Sequence, residues 1–276
     1  MEAVRGNFER IIRILKKVIF AITLTMALML SGSIKNAWPA MVWDQVNRDG
    51  FGTTNNVGAN SMVEYNGCLY VGTENNDPLS GAQIWRYDGT DWTQVATAYL
   101  NFVEDSNNTI ASSMCVYNGK LYVGTRNNST GAEVWEYDGT SWTQVNTDGF
   151  GDYHNSCASS MIQDGTYLYV GTENYSTGAE VWRYDGSSWT RIGSGGLGDS
   201  NNIKIGCMEI DGGGQLWAGT ANNSGCQVWR YAAGTWTEEI SDGFGDSNNS
   251  SADSIILLYD YIYVGTENSS TGAEIW

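Results

Sequence analysis

Proline is nearly absent from this chain, with two in 276 residues, and histidine occurs once, as His154. Basic residues number 14 against 31 acidic ones, for a net charge of −17. A balance this acidic argues against nucleic acid and anionic lipid surfaces as partners. Cysteine is sparse too. Five cysteines, with no Cys-x-x-Cys and no Cys/His spacing, leave no framework for a structural metal. Helical periodicity is missing after the N-terminus, and the one long apolar run, Val18 to Leu30, is 13 residues, short for a bilayer span.

What is present is glycine, 34 residues of it, together with 12 tryptophans and 16 tyrosines, a composition suited to strands joined by tight turns around aromatic cores. The N-terminus stands apart. Arg5, Arg10, Arg13, Lys16 and Lys17 precede the apolar run, and Ser31-Gly32-Ser33 follows it, the order of a secretory signal peptide. Residues 1–33 are therefore expected to be removed, with 34–40 a short linker and the mature form secreted or displayed on the cell envelope. The alternative is an uncleaved anchor that includes Ile11 to Leu15. No other membrane contact is expected. Without residues 1–40 the remainder carries −21.

Self-similarity fixes the architecture. Leu168 to Trp182 returns almost unchanged as Ile262 to Trp276, and the same cassette closes at Trp85, Trp135 and Trp229, spaced 50, 47, 47 and 47 residues apart. Each unit reads as four short strands: in the second, Ser112 to Tyr117 (a), Leu121 to Thr125 (b), Ala132 to Tyr137 (c) and Trp142 to Val145 (d). Asn118-Gly119 and Asp138-Gly139 separate a from b and c from d. Both dipeptides accept positive φ, so both connections are expected to be tight hairpins.

Four-stranded units of about 47 residues repeated around a ring make an all-β propeller over residues 41–276. The competing architecture is a stacked β-solenoid. An orphan d strand, Trp43 to Val46, and a last repeat without one favour a ring of five blades in which the N-terminal strand closes the C-terminal blade. If residues follow Trp276, the ring has six or more. The cysteines fit this reading: Cys207 and Cys226 stand where other repeats have Ser or Ala, and Cys115 where they have Val63 or Ile162, so packing rather than a disulfide framework is expected.

The LYVGT strand, the GAEVWRYDG strand with its hairpin and the WTQV strand resemble the repetitive propeller families grouped as kelch-like, WD40-like and tachylectin-like. The resemblance covers residues 41–276 and is one of architecture. The Gly-His and Trp-Asp signature of WD40 repeats and the double-glycine kelch strand are missing. The tachylectin-like families imply carbohydrate binding, and no residue of theirs transfers to a position here.

Antiparallel alternation sends the Asn-Gly and Asp-Gly turns to one end of each blade and the long polar b–c and d–a loops to the other. Long loops on a rigid scaffold carry function more often than tight turns do. In the d–a loops Asp148, Asp152 and Asn155 recur as Asp242, Asp246 and Asn249, and in the b–c loops Asn127 recurs as Asn174. These eight are the candidate ligand-binding residues, supplying oxygens to sugar hydroxyls or to a bound calcium ion. The competing reading gives the same loops a turn-forming role, with Phe51, Phe150 and Phe244 plugging grooves between blades. Along strand a, the Ser61 series and the Met62 series alternate, so one is expected to face the channel and the other a blade interface.

No acid–base pair or nucleophile with an orienting partner stands out, so the sequence reads as a non-enzyme with no cofactor. The leading expectation is a lectin-like binding module for a glycan on one propeller face. The alternative is a structural or protein-contact propeller within a larger exported protein.

Overall fold

Strand content begins directly after the first Asp-Gly-Phe-Gly turn, in a computed structural model that describes residues 43–97 and 105–276. The expected leader and linker, and most of the loop from Tyr99 to Asp105, lie outside the described residues. The first blade is β1 (Asn56–Tyr65), β2 (Cys68–Asn75), β3 (Ile84–Tyr87) and β4 (Trp92–Ala96). The second is β5 (Asn108–Tyr117), β6 (Lys120–Asn127), β7 (Val134–Tyr137) and β8 (Trp142–Gln144). The third is β9 (Cys157–Gln163), β10 (Leu168–Glu173), β11 (Val181–Tyr184) and β12 (Trp189–Gly193). The fourth is β13 (Lys204–Ile210), β14 (Leu216–Ala221), β15 (Val228–Ala232) and β16 (Thr235–Ile240). Then come β17 (Asn249–Leu258), β18 (Tyr261–Asn268) and β19 (Glu274–Ile275).

Each strand pairs antiparallel with the next in its blade. Single bridges join the end of one blade's second strand to the start of the next blade's first: Glu74 to Ile110, Arg126 to Cys157, Glu173 to Lys204 and Ala221 to Ser251. This is the propeller pattern, and its apolar core lies between blades. Ile84 and Ala96 meet Ala111, Leu121 and Val123; Val134 meets Leu168 and Val170; Val181 meets Ile205 and Leu216; Val228 meets Ala252 and Val264.

Glycine sets the spacing between blades. A Cβ on Gly124 would come within 2.7 Å of the Ala158 Cβ, and one on Gly171 within 2.5 Å of the Ile205 Cβ. Side chains then bond across the gap. Ser61 Oγ donates to Ala111 O, Ser113 Oγ to Ala158 O, Ser160 Oγ to Ile205 O, and the Cys207 thiol to Ala252 O. On the other side of the sheet, Met114, Met161 and Met208 pack toward the preceding blade. Neither series therefore faces the channel, because both faces of a blade are covered by its neighbours and only the strand's edge is left for the axis. All five cysteines are free, and burial pushes the Cys115 and Cys207 thiols up to about 12.

The expected turns separate into two kinds. Asn66-Gly67 and Asn118-Gly119 take positive φ at both centres. At the c–d connection only Gly139 does; Asp138 instead accepts the backbone N–H groups of Thr140 and Ser141, which makes a longer loop capped by a carboxylate. Those bonds, led by the Thr140 hydroxyl, lower the Asp138 pKa to about 2.

Residues 43–46 form no strand, and among the described residues β19 pairs only with β18. The d strand expected over Trp43 to Val46 is thus not what the structure has.

The d–a loops behave as expected of plugs, at a backbone cost. Phe51, Phe150 and Phe244 themselves take positive φ, as does Leu197 in their place. Phe150 stacks on Trp182 with centroids 4.9 Å apart and meets the edge of Trp189, whose indole N–H reaches back to Val145 O of the preceding blade. Phe150→Ala keeps the strained turn and loses the stacking; chemical denaturation should show a loss of about 2 kcal/mol, less than for a fully buried ring because Phe150 is half-buried. A change below about 0.5 kcal/mol, the size expected of an ordinary surface substitution, would mean that the plug carries no weight.

Candidate functional site

The b–c and d–a loops do share one end of the blades and bond to each other there. Gly149 N–H donates to Ala132 O, and Ala132 N–H to Asn155 O. This repeats at Gly196 and Ala179, and at Gly243 and Cys226.

Of the eight candidate residues, the four asparagines are interior. Asn155 is fully buried: its amide donates to Gly149 O and Glu180 Oε2 and accepts from Thr172 Oγ1 and Asn174 Nδ2. Asn249 has the same four partners in its own blade. Asn174 accepts the N–H groups of Ser176 and Thr177 and donates to Asp152 and Asn155. Asn127 accepts from Ser129 and Thr130 and donates to Asp105 and Asn108. What these asparagines do in the structure is hold the loops to the blade.

The aspartates are more accessible. Asp152 and Asp246 each use one oxygen to cap the loop, through His154 or Asn248, and turn the other toward Asn174 or Asn268. Burial pushes the Asp152 carboxyl up, but the backbone N–H and ring of His154 outweigh it and hold the group below its ordinary value. Asp148 accepts from Gln144, and Asp242 is exposed with positive φ. Among the described residues no group of three or more His, Cys, Asp or Glu is placed to hold a metal ion.

The positions where the repeats disagree mark out a different set. Tyr153 stands where other d–a loops have Thr54, Ser106, Ser200 and Ser247, and His154 where they have Asn. Tyr175 stands where other b–c loops have Asn76, Asn128, Asn223 and Ser269. All three substitutions fall in the third blade. Tyr153 and Tyr175 are 59% and 70% exposed, and the Tyr153 and His154 rings lie 3.9 Å apart. The hydrogen bond from Asn174 to Asp152 ties the loop bearing Tyr175 to the loop bearing Tyr153.

Charge diverges at the same end. The residue just before the asparagine of the b–c loop is Glu74, Arg126, Glu173, Ala221 or Glu267 in successive repeats. Arg126 grips Glu173 through two bonds of 2.6 and 2.8 Å, and Lys204, the bridge partner of Glu173, lies 3.7 Å from Asp253. Burial leads the causes that raise the Tyr175 phenol, and Glu173 and Arg126 are among its charged neighbours. Two exposed rings, a capped carboxylate and an alternating row of charges thus meet on one loop face. Tyr153, His154, Tyr175 and Arg126 do not recur, so departure from the repeat, and not repetition, is their signal in the sequence.

The family model described as DUF6242 beta propeller domain matches residues 40–153. With the sheet topology, this shows a repetitive β-propeller. No curated protein matches. Solved structures similar to this chain include a europium-containing methanol dehydrogenase, at 10% identity and a TM-score of 0.54 over 80% of this chain and 50% of that one. An endo-arabinase from Bacteroides thetaiotaomicron has 10% identity and a TM-score of 0.45 over 79% and 92%. An α-L-arabinofuranosidase from Clostridium thermocellum has 14% identity and a TM-score of 0.42 over 79% and 84%. The methanol dehydrogenase shares the fold, and by its name it is an enzyme. The expectation of a non-enzyme is corrected on that ground: repetition of polar residues in a propeller does not argue against activity.

Proposed function

We propose that the loop face of the third blade binds a glycan, with Tyr153 and Tyr175 as its platform. The observation that carries this reading is the pair of exposed tyrosines flanking Asp152 where every other repeat has a small polar residue. The C–H face of a sugar ring is apolar and stacks on an aromatic face, while its hydroxyls seek carboxylates and amides. Asp152 with its His154 partner supplies acceptors beside the Tyr153 ring. Tyrosine adds contact area at small entropic cost.

Binding of immobilised polysaccharides to the wild type and to Tyr153→Ala/Tyr175→Ala tests the reading. Both side chains are exposed, so stability should change by less than about 0.5 kcal/mol per site. The affinity for a retained glycan should fall at least about tenfold, a loss of roughly 1.4 kcal/mol. Repeating the measurement with a chelator separates direct contact from a calcium bridge. Retention of no polysaccharide by the wild type, or equal retention by the double variant, would sink the proposal.

A further inference from the structure

Among the described residues one buried side-chain nitrogen or oxygen has no hydrogen-bond partner, and it is Nε of Arg86. A buried N–H without an acceptor is destabilising, and the acceptor that best fits a guanidinium is a carboxylate. Arg86 lies directly opposite Tyr70 in the first blade, on the face turned toward the second blade and beside the tight turns. It is half-buried, and its charge is felt by Tyr70 and by Tyr137 of the second blade.

The same cross-strand pair has its own acid in each of the next three blades. In the second, Tyr122 faces Glu136, whose two oxygens accept from the Tyr122 phenol and from Lys120, both at 2.6 Å. In the third, Tyr169 faces Arg183; the phenol donates to Asp164, and the guanidinium lies 4.3 Å over the Tyr167 ring. In the fourth, Trp217 faces Arg230; the indole donates to Asp211, and Arg230 Nε to Glu239 at 2.6 Å. The first blade has Tyr65 where the third and fourth have Asp164 and Asp211, and Arg86 where the second has Glu136. It keeps the donors, and among the described residues no carboxylate bonds to either of them. Asp88 is near enough to feel Arg86, but its Oδ1 caps the turn by accepting the N–H groups of Thr90 and Asp91.

We propose that Arg86 and Tyr70 form a binding site for the carboxylate of a small molecule, at the end of the blades opposite the exposed tyrosine pair. The guanidinium carries Nε–H and an adjacent Nη–H in a fork that matches two carboxylate oxygens. Tyr70 supplies a further donor: burial, with Tyr137 adding to it, pushes its phenol up to about 12, so it holds its proton at neutral pH. Asp88 and Asp138, at the turns on either side, confine the site to a single negative charge and disfavour a polyanion.

Nitrogen–proton NMR spectra of the full chain test this, with sodium acetate as the probe and sodium chloride at equal ionic strength as the reference. The Arg86 Nε–H resonance, assigned by its loss in Arg86→Gln, should shift saturably with acetate at a dissociation constant of about 10 mM. At about 100 mM acetate the folded state should then be favoured about tenfold in urea denaturation. Arg86→Gln should lose that gain. Cys68→Lys/Arg86→Glu places the lysine and glutamate of the second blade at the same register in the first, so it should fold as the wild type does and lose the gain as well. A wild-type resonance indifferent to acetate, as water alone at Nε would leave it, overturns the proposal. So does an equal response to chloride, or a gain from acetate that persists in either variant.

Discussion

Asn155→Ala should cost about 4 kcal/mol, more than any other single change considered, because it removes four hydrogen bonds from a buried position at once. Gly149 O and Glu180 Oε2 would lose a donor, and Thr172 Oγ1 and Asn174 Nδ2 an acceptor, all inside the blade. Urea denaturation read by tryptophan fluorescence would measure it, and a loss below about 1 kcal/mol would show that the loop's hold on the blade does not depend on this amide. The consequence for binding experiments is practical. A fall in ligand affinity on removing Asn155 or Asn249 would report a damaged loop, so the exposed tyrosines are the informative positions.

Glu133→Gln should act in the opposite direction and only at higher pH. Burial, with Asp148 and Asp105 adding to it, pushes the Glu133 carboxyl up from an ordinary 4.5 to about 7, against the bonds it accepts from Trp135 and Asn108. The unfolded chain ionises near 4.5 while the folded chain keeps its proton to about 7. The folded state therefore binds more protons in that window, and stability falls as pH rises from about 4.5 to about 7, then levels off. Glutamine carries no charge to desolvate. The first and fourth blades already use it: Gln83 accepts from Asn56 and Trp85, and Gln227 from Asn202 and Trp229, in the arrangement Glu133 makes. The variant should match the wild type at pH 4 and exceed it by about 2 kcal/mol at pH 8. Lower stability at pH 8, or an equal gain at both pH values, would refute the account.

Much of the fold was legible because the repeat states each rule several times. The Asn-Gly turns, the Trp ladder, the phenylalanine plugs and the segregation of long loops to one end follow from strand period and turn chemistry, and the structure has them. The c–d turn was misread because Asp-Gly is shared by two solutions, and Thr140 and Ser141 choose between them by supplying N–H groups to Asp138. The loop asparagines were read as outward-facing because polarity suggests solvent; whether an amide faces in depends on partners such as Glu180 and Thr172, distant in sequence. The tyrosine pair was readable as a departure at fixed repeat positions, but the nearness of Tyr175 to Arg126 and Glu173 needed the structure.

The bonds that hold one blade to the next have short reach along the chain. Ser113 to Ala158 and Cys207 to Ala252 each span 45 residues, Trp189 to Val145 and Trp236 to Ile192 each 44. In these contacts a blade docks on the one made just before it. Synthesis at roughly 5–20 residues per second delivers one repeat every few seconds, whereas a hairpin closes in about 1–10 microseconds. Each blade thus has time to form on the surface of its finished predecessor while the next is still being made, so the ribosome's pace, rather than a search through non-local pairings, orders the assembly.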